Sequence, residues 1–201
     1  MDQVYRFINV ENYQAINNEV HQYIVAHTQV LQLENVFVDQ DIDHMLSCCP
    51  QLSKFLSAHS LVPNRLATIV CAGSLEIEMH RDNDGTNSYV RILWPVQNCQ
   101  GSKTKIWAVP KDSGIVMLDT NGIVYTGFSG DQKRIQLDEF ELSQPVLFNA
   151  SCAHSVHPAP GSTQTRISFT MGFDRDLPIS KSIDAWQELG FFNQGDGHET
   201  R

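Results

Sequence analysis

The chain has 201 residues, of which 41% are hydrophobic and 18% charged, and its formal net charge is −9. This composition is that of a globular domain rather than of a disordered chain. The length suffices to bury a core without disulfide or metal staples. The acidic balance argues against nucleic acid as a partner, because nonspecific binding to phosphates needs a basic surface.

The cysteines and the hydropathy pattern bear on the compartment. Five cysteines, an odd number, occur without a Cys-x-x-Cys pair. This pattern is typical of reduced thiols rather than of a disulfide framework or a zinc site. The first residues carry no signal-peptide pattern, and no stretch approaches the roughly 20 apolar residues of a membrane span. We therefore predict a cytoplasmic protein with no membrane association.

The first third of the chain is predicted to be mainly helical. Residues 4–10 are strand-like, and a helical pattern of apolar residues follows between Tyr13 and His27. Residues 35–38 are compatible with a short strand. Asp41 is a suitable N-cap for the next helix, and Pro50 either ends that helix or begins another turn.

The pattern changes to short strands after Pro63. Strand-like segments occur at residues 66–71, 75–79, 89–96, 105–109, 115–118, 123–126, 146–148 and 165–173. Turn residues separate them, and Asn121-Gly122 between two apolar runs is a strong hairpin signal. Many short strands at regular spacing are typical of a β-sandwich or barrel rather than of alternating βα units. Residues 182–191 resemble a short terminal helix.

His80 and Asp82 form the first candidate metal-binding motif. They end the predicted strand 75–79, and residues two apart in an extended chain face the same side. Asp84 shares this parity, but Gly85 indicates a turn there, so we favour Asp82. A His-x-Asp pair alone is weak evidence, because a solvated strand end has the same appearance. A second histidine would complete two imidazoles and one carboxylate, a set that binds iron(II) with open positions.

The second candidate motif follows 74 residues later. His154 and His157 both come after an apolar strand, and their opposite parity prevents both from facing one ion. Arg166 and Ser168 share one face of the next strand. An arginine beside this apolar run is costly unless it meets an anion, and a guanidinium with a nearby hydroxyl suits a carboxylate. A rim arginine paired with an aspartate is the alternative.

These motifs together resemble the Fe(II)/2-oxoglutarate-dependent dioxygenases. The resemblance lies in the order and spacing of His80, Asp82, His154 and the Arg166-x-Ser168 pair, and extends to residues 91–99, 105–107 and 144–149. It is nearest to small oxygenases of marine phage and bacteria, and more distant to aspartyl/asparaginyl β-hydroxylases. It covers roughly residues 66–173 and leaves the helical first third without a match.

The resemblance implies a mainly β fold with flanking α-helices, built on a double-stranded β-helix (jelly-roll, cupin-like) core. The organisation is then a single domain over residues 1–201. It comprises a helical N-terminal support region at 1–62, the jelly-roll core at 63–175, and a C-terminal helix and tail at 176–201.

The resemblance also implies the cofactors and the site. Iron(II) would be held by His80, Asp82 and His154, since in the hydroxylases the metal histidine opens such a segment. Arg166 and Ser168 would hold the distal carboxylate of 2-oxoglutarate. The expected reaction hydroxylates a C–H bond while 2-oxoglutarate is decarboxylated to succinate.

Four further residues are candidates for substrate binding. Arg91 would contact an anionic substrate or the C1 carboxylate of 2-oxoglutarate, or would simply face outward. Asn98 and Trp107 could line the mouth of the pocket, and His157 could lie at its rim. The expected substrate is a small molecule or an amino-acid or protein side chain. No sequence feature indicates an oligomeric state. The alternative functions are a non-catalytic cupin-like binding module and a cupin enzyme that uses another divalent metal.

Overall fold

A computed structural model describes residues 4–28, 36–82, 90–110, 113–118, 124–129 and 133–173. These residues contain three helices, α1 (Tyr13–His27), α2 (Ile42–Cys48) and α3 (Pro50–Ala58). They also contain twelve strands: β1 (Tyr5–Phe7), β2 (Val36–Asp39), β3 (Pro63–Cys71), β4 (Ile77–Arg81), β5 (Val90–Gln97), β6 (Lys103–Ala108), β7 (Ile115–Leu118), β8 (Val124–Gly127), β9 (Ile135–Glu141), β10 (Val146–Asn149), β11 (Ala153–His157) and β12 (Arg166–Phe173).

The strands form two six-stranded antiparallel sheets. The first sheet has the order β1-β10-β5-β12-β3-β2, and the second has the order β7-β8-β4-β11-β6-β9. Neighbours in each sheet are mostly distant in sequence, as in a jelly roll rather than in a meander. This arrangement confirms the predicted mainly β fold class with flanking helices. It also brings β4 and β11, which carry the two candidate motifs, into direct contact.

The helices form where the sequence predicts them. In α1 the buried residues are Ile16, Val20, Tyr23 and Ile24, at the three- and four-residue spacing of one helix face. The side chain of Asp41 accepts a hydrogen bond from the backbone N–H of His44, which caps α2. Pro50 occupies the first turn of α3, where its missing N–H costs nothing.

The two faces of β12 contact different parts of the protein. One face packs in the apolar core, and the other is turned towards the second sheet. Ile167, Phe169 and Met171 point towards the helices and join the main apolar core, which includes Trp94 of β5. Arg166, Ser168 and Thr170 alternate with them and are buried as well. Because successive side chains of a strand point to opposite faces, these polar residues lie on the face turned towards the second sheet. The first sheet therefore separates an apolar helix-packed layer from a polar interior.

Some predictions differ from the structure or fall outside the described residues. The strands β9 and β11 were not predicted as strands, whereas the other predicted strands are present with ends shifted by a few residues. The turn at Asn121-Gly122 lies outside the described residues, although β7 and β8 form the antiparallel pair expected there. The predicted C-terminal helix also lies outside them. No helix in the described ranges is long and apolar enough to cross a membrane.

Candidate metal centre

His80 and Asp82 lie at the end of β4, on the side predicted from their spacing. His80 is in the strand, and Asp82 follows directly after it, with its backbone N–H donating to the carbonyl of Ala150 at 3.0 Å. This bond fixes the chain beyond the strand end. The His80 Nε2 and Asp82 Oδ1 atoms are 3.4 Å apart. The two side chains therefore present their ligand atoms to one point.

His154 completes the set from the neighbouring strand β11. It lies directly opposite His80 in the antiparallel pairing of β11 with β4, and the centres of the two imidazole rings are 4.3 Å apart. One ligand atom from each of His80, Asp82 and His154 lies within 4.8 Å of the others, and no other such group occurs among the described residues. Two imidazoles and one carboxylate in this arrangement could hold a divalent metal ion.

Backbone carbonyls set the orientation of both imidazoles. Nδ1 of His80 is 2.7 Å from the carbonyl oxygen of Glu78, and Nδ1 of His154 is 2.8 Å from that of Cys152. Because a carbonyl oxygen only accepts hydrogen bonds, each Nδ1 must carry the proton. Each neutral ring then has its lone pair on Nε2, the atom available to a metal.

The protonation states of the three groups differ. Burial and the positive charge of His80 lower the pKa of His154 to about 4, against the attraction of Asp82. For Asp82 burial acts in the opposite sense, but the hydrogen bond from His80 and the charges of His154, His80 and Arg91 outweigh it and lower the pKa to about 2. Burial opposes the charged form of His80 too, yet its hydrogen bond with Asp82, the attraction of that carboxylate and the Glu78 carbonyl raise its pKa. Near neutral pH, His154 is neutral and Asp82 is ionised.

Arg166 and Ser168 lie inside the same two-sheet interior, with polar atoms that have no partner. Arg166 is 5% exposed and Ser168 is 0% exposed. Arg166 Nη1 contacts Cys71 Sγ at 3.6 Å. Arg166 Nε and Ser168 Oγ are the two buried side-chain atoms of the described residues that make no hydrogen bond. A buried polar atom without a partner is costly, so this pair is suited to a ligand that supplies oxygen acceptors.

Arg91 also lies inside the protein, and its guanidinium is accommodated by a glycine. Arg91 is directly opposite Gly172 of β12 and Phe148 of β10. A Cβ atom at position 172 would overlap Arg91 Nη1. Phe148 in turn packs edge-to-face on the His154 ring, with centroids 4.9 Å apart. The alternative that Arg91 faces outward is wrong, since it is 7% exposed.

Trp107 and His157 lie on the other face of the second sheet from His154. In the pairing of β11 with β6, Trp107 is opposite Ala153, whereas His154 is opposite Ile106. The Trp107 indole donates to Ser155 Oγ at 2.8 Å, and Ser155 Oγ is 2.9 Å from His157 Nε2. His157 Nδ1 is 2.9 Å from a carboxylate oxygen of Glu76. These contacts place His157 away from the three metal-ligand atoms.

Asn98 lies at the end of β5 and holds the chain in place. Its backbone is left-handed, with φ of 52°, a conformation that asparagine tolerates better than most residues. Its side-chain amide donates to the carbonyl of Thr165 at 2.8 Å, just before β12 begins. The side chain is exposed. Asn98 thus connects the end of β5 with the start of the strand that carries Arg166.

Three contributions to the site were not predicted from the sequence. The carbonyls of Glu78 and Cys152 orient the histidines, and Cys71 contacts Arg166. A backbone carbonyl leaves no signal in residue type. Cys71 ends a predicted strand, and its partner could have been found only from the register of β3 against β12, which aligns it with Arg166.

No protein-family model and no curated protein matches the sequence. Among solved structures, the epimerase SnoN in complex with Fe3+, alpha ketoglutarate and nogalamycin RO is similar at a TM-score of 0.51 and 13% identity, covering 98% of this chain and 88% of that one. The fold is a double-stranded β-helix. A prolyl-4-hydroxylase of Pseudomonas putida is also similar, at a TM-score of 0.46 and 13% identity. The match covers 87% of this chain and 94% of the hydroxylase.

Proposed function

We propose that this chain is an Fe(II)- and 2-oxoglutarate-dependent oxygenase that hydroxylates its substrate. The observation that carries the proposal is the combination, in one interior, of the His80, Asp82 and His154 ligand atoms with the unpartnered polar atoms of Arg166 and Ser168. A metal site alone would suit many reactions. A metal site that shares its interior with a buried carboxylate-binding pair suits a co-substrate that chelates the ion and carries a second carboxylate.

The residues that would hold iron(II) are His80, Asp82 and His154, and a set of three protein ligands would leave positions open for a co-substrate. Arg166 and Ser168 would bind the distal carboxylate of 2-oxoglutarate. When bound, iron and 2-oxoglutarate would together supply the oxidising chemistry, with succinate and CO2 as co-products.

The chain's own contribution is to orient the metal-ligand atoms and to keep Asp82 ionised. The carbonyls of Glu78 and Cys152 hold both imidazoles through Nδ1, so that Nε2 is the atom available to a metal. Asp82, with its lowered pKa, stays ionised and offers its oxygens as ligands. Phe148 packs on His154 and covers the side of that ring.

The substrate is proposed to be a small molecule or an amino-acid or protein side chain, and the protein is proposed to act in the cytoplasm. For comparison, the epimerase SnoN was solved with nogalamycin RO, and a prolyl hydroxylase of Trichoplax adhaerens was solved with a peptide fragment of hypoxia inducible factor.

An anaerobic titration tests this proposal. We expect Fe(II) and 2-oxoglutarate together to produce a charge-transfer absorption band and to raise the melting temperature more than either alone. Glutarate is the matched control, because it has both carboxylates but lacks the keto oxygen that chelates the ion. Glutarate should stabilise the protein without producing the band.

A measurement in air then distinguishes an oxygenase from a non-catalytic binding module. In air, the iron and 2-oxoglutarate complex should release succinate slowly even without substrate. A band without succinate release would support the non-catalytic binding module instead. The absence of both band and stabilisation would refute the proposed co-substrate.

A further inference from the structure

Cys71 lies beside Arg166 on the neighbouring strand and holds one end of its guanidinium. The two residues are directly opposite each other in the pairing of β3 with β12, so their side chains leave the sheet on the same face. Cys71 is 3% exposed and Arg166 is 5% exposed. Arg166 Nη1 donates a hydrogen bond to Cys71 Sγ at 3.6 Å. Cys71 therefore faces the polar interior together with Arg166.

The bond to Cys71 leaves one particular edge of the guanidinium for a ligand. In this planar group, Nε–H and one N–H of Nη2 are parallel and lie on the edge away from Nη1. Arg166 Nε, on that edge, is buried without a hydrogen-bond partner among the described residues, and so is Ser168 Oγ, two residues along the same face of β12. Two parallel N–H groups match the two oxygens of a carboxylate. A carboxylate would thus bind side-on, with Ser168 adding a further hydrogen bond.

The thiol of Cys71 can hold the guanidinium without cancelling its charge. Burial raises the pKa of Cys71, against the opposing effects of the Arg166 charge and of its hydrogen bond. Because an ordinary thiol already has a pKa above 8, this one is uncharged near neutral pH. Sulfur is also a weak hydrogen-bond acceptor. An acidic side chain at the same position would form an ion pair with Arg166 and compete with a carboxylate ligand.

We propose that Cys71 is a positioning residue for the co-substrate, which fixes Arg166 so that its Nε edge and Ser168 together receive the distal carboxylate. This inference rests on the proposed function. An arginine side chain loses rotamer entropy when it is fixed, and Cys71 imposes part of that loss before the ligand binds. A fixed guanidinium also fixes the distance between the candidate metal position and the carboxylate site. Cys71 thereby contributes to the choice of diacid length.

Calorimetric titration of Mn(II)-loaded Cys71→Ala and Cys71→Ser with 2-oxoglutarate tests the proposal. Cys71→Ala should weaken binding about fivefold to tenfold, as expected for the loss of one hydrogen bond that orients a charged group. Cys71→Ser keeps an acceptor beside Nη1 and should stay within about threefold of the wild type. The affinity for Mn(II) should change in neither variant, because Cys71 contacts Arg166 and not a metal ligand.

A six-carbon homologue, 2-oxoadipate, distinguishes positioning from general packing. In Cys71→Ala the guanidinium can turn to meet a longer chain, so the preference for 2-oxoglutarate over 2-oxoadipate should fall. Cys71→Ser should retain the preference. A variant that only loosens the packing would weaken both acids by the same factor, and that result would overturn the inference.

Cys99→Ala is the matched control. Cys99 is also buried, at 5% exposure, and the charge of Arg166 acts on its thiol as it does on that of Cys71. The Cys99 thiol, however, donates to the carbonyl of Ile167 at 3.1 Å. Its removal deletes an equal volume beside β12 without releasing the guanidinium. Affinity for 2-oxoglutarate and the preference over 2-oxoadipate should both stay within about twofold, and losses equal to those of Cys71→Ala would contradict the proposal.

NMR relaxation of the Arg166 Nε–H group tests the same contact without any co-substrate. In metal-free and ligand-free protein, its order parameter should be high in the wild type, in Cys71→Ser and in Cys99→Ala, and clearly lower in Cys71→Ala. The signal is assigned by its loss in Arg166→Lys. An equal order parameter in the wild type and in Cys71→Ala would show that Cys71 does not fix the guanidinium.

Failure of this inference is distinguishable from failure of the proposed function. If 2-oxoglutarate binds the wild type and Cys71→Ala equally well, the inference is wrong and the proposed function stands. If 2-oxoglutarate does not bind the wild type, the proposed co-substrate is wrong, and with it the role of Cys71 in binding that co-substrate.

Discussion

His80 and His154 lie directly opposite each other on neighbouring strands, and each donates its Nδ1 proton to the carbonyl two residues before it in sequence. The two rings therefore reach the candidate metal position with the same tautomer from opposite sides. Their electrostatic surroundings are nevertheless different, because Asp82 is hydrogen-bonded to His80 but not to His154.

This difference predicts that metal binding near pH 6 releases one proton. The pKa of His154 is lowered to about 4 and that of Asp82 to about 2, so both are already deprotonated. The pKa of His80 is raised above its ordinary value, so His80 retains the proton that the ion must displace. Affinity for Mn(II) should therefore rise with pH, about tenfold per unit, from about pH 5 up to the pKa of His80.

Calorimetry in two buffers of different ionisation enthalpy measures the number of protons released. Release of one proton at pH 6 is the expected result. Release of two would show that both histidines are charged in the metal-free protein, contrary to the environment of His154.

The placement of His154 and His157 on opposite faces predicts unequal effects of their removal. His154→Ala should weaken Mn(II) binding by more than about a hundredfold, beyond the range usual for residues that only support a ligand. His157→Ala should change it less than about threefold, because His157 contacts Ser155 and Glu76 rather than the ion. Titration of both variants at one pH makes the comparison. Equal losses would require His157 to be a ligand.

Arg166→Ala is predicted to separate co-substrate binding from metal binding. It removes a buried guanidinium that would make charged hydrogen bonds, so affinity for 2-oxoglutarate should fall about tenfold to a hundredfold. Affinity for Mn(II) alone should stay within about twofold, since Arg166 contacts Cys71 and no metal ligand. Arg134→Ala controls for the change in net charge. An unchanged affinity for 2-oxoglutarate would remove Arg166 from the site.

Ser168→Ala is predicted to stabilise the ligand-free protein while it weakens co-substrate binding. The Ser168 hydroxyl is fully buried without a partner, so its removal should raise the free energy of unfolding by about 1 kcal/mol. Ser155→Ala is the matched control. Its hydroxyl is also buried but lies within hydrogen-bond distance of Trp107 and His157, and its loss should destabilise by about 1 kcal/mol.

Urea denaturation of both serine variants, without and with 2-oxoglutarate, measures these effects. Destabilisation by Ser168→Ala in the absence of ligand would show that its hydroxyl has a partner in the free protein.

Side-chain parity explains why much of the site could be predicted from the sequence. The spacing of His80 and Asp82, and that of Arg166 and Ser168, places each pair on one face of a strand in any register. The same rule separates His154 from His157. The prediction of a β-sandwich or barrel likewise depended on short strands and turns, which are local features.

The features that escaped prediction depend on long-range register or on weak patterning. In strand β9 apolar and polar residues alternate only from Ile135 to Asp138, and the second acidic residue, Glu139, breaks the alternation that marks a half-buried strand. The outward position of Trp107 follows from the pairing of β6 with β11, 46 residues apart where Trp107 meets Ala153. Spacing within one strand carries no information about such a pairing.

The carbonyl contacts of the two histidines have an evolutionary consequence. Every amino acid supplies a main-chain carbonyl, so no substitution at Glu78 or Cys152 deletes the acceptor that orients His80 or His154. Mutations can therefore accumulate in the side chains around the site and alter its shape and charge. The orientation of the two imidazole rings is retained as long as the backbone of the two strands is retained. A protein with this arrangement can change its substrate specificity by substitution while the orientation of its candidate metal ligands is retained.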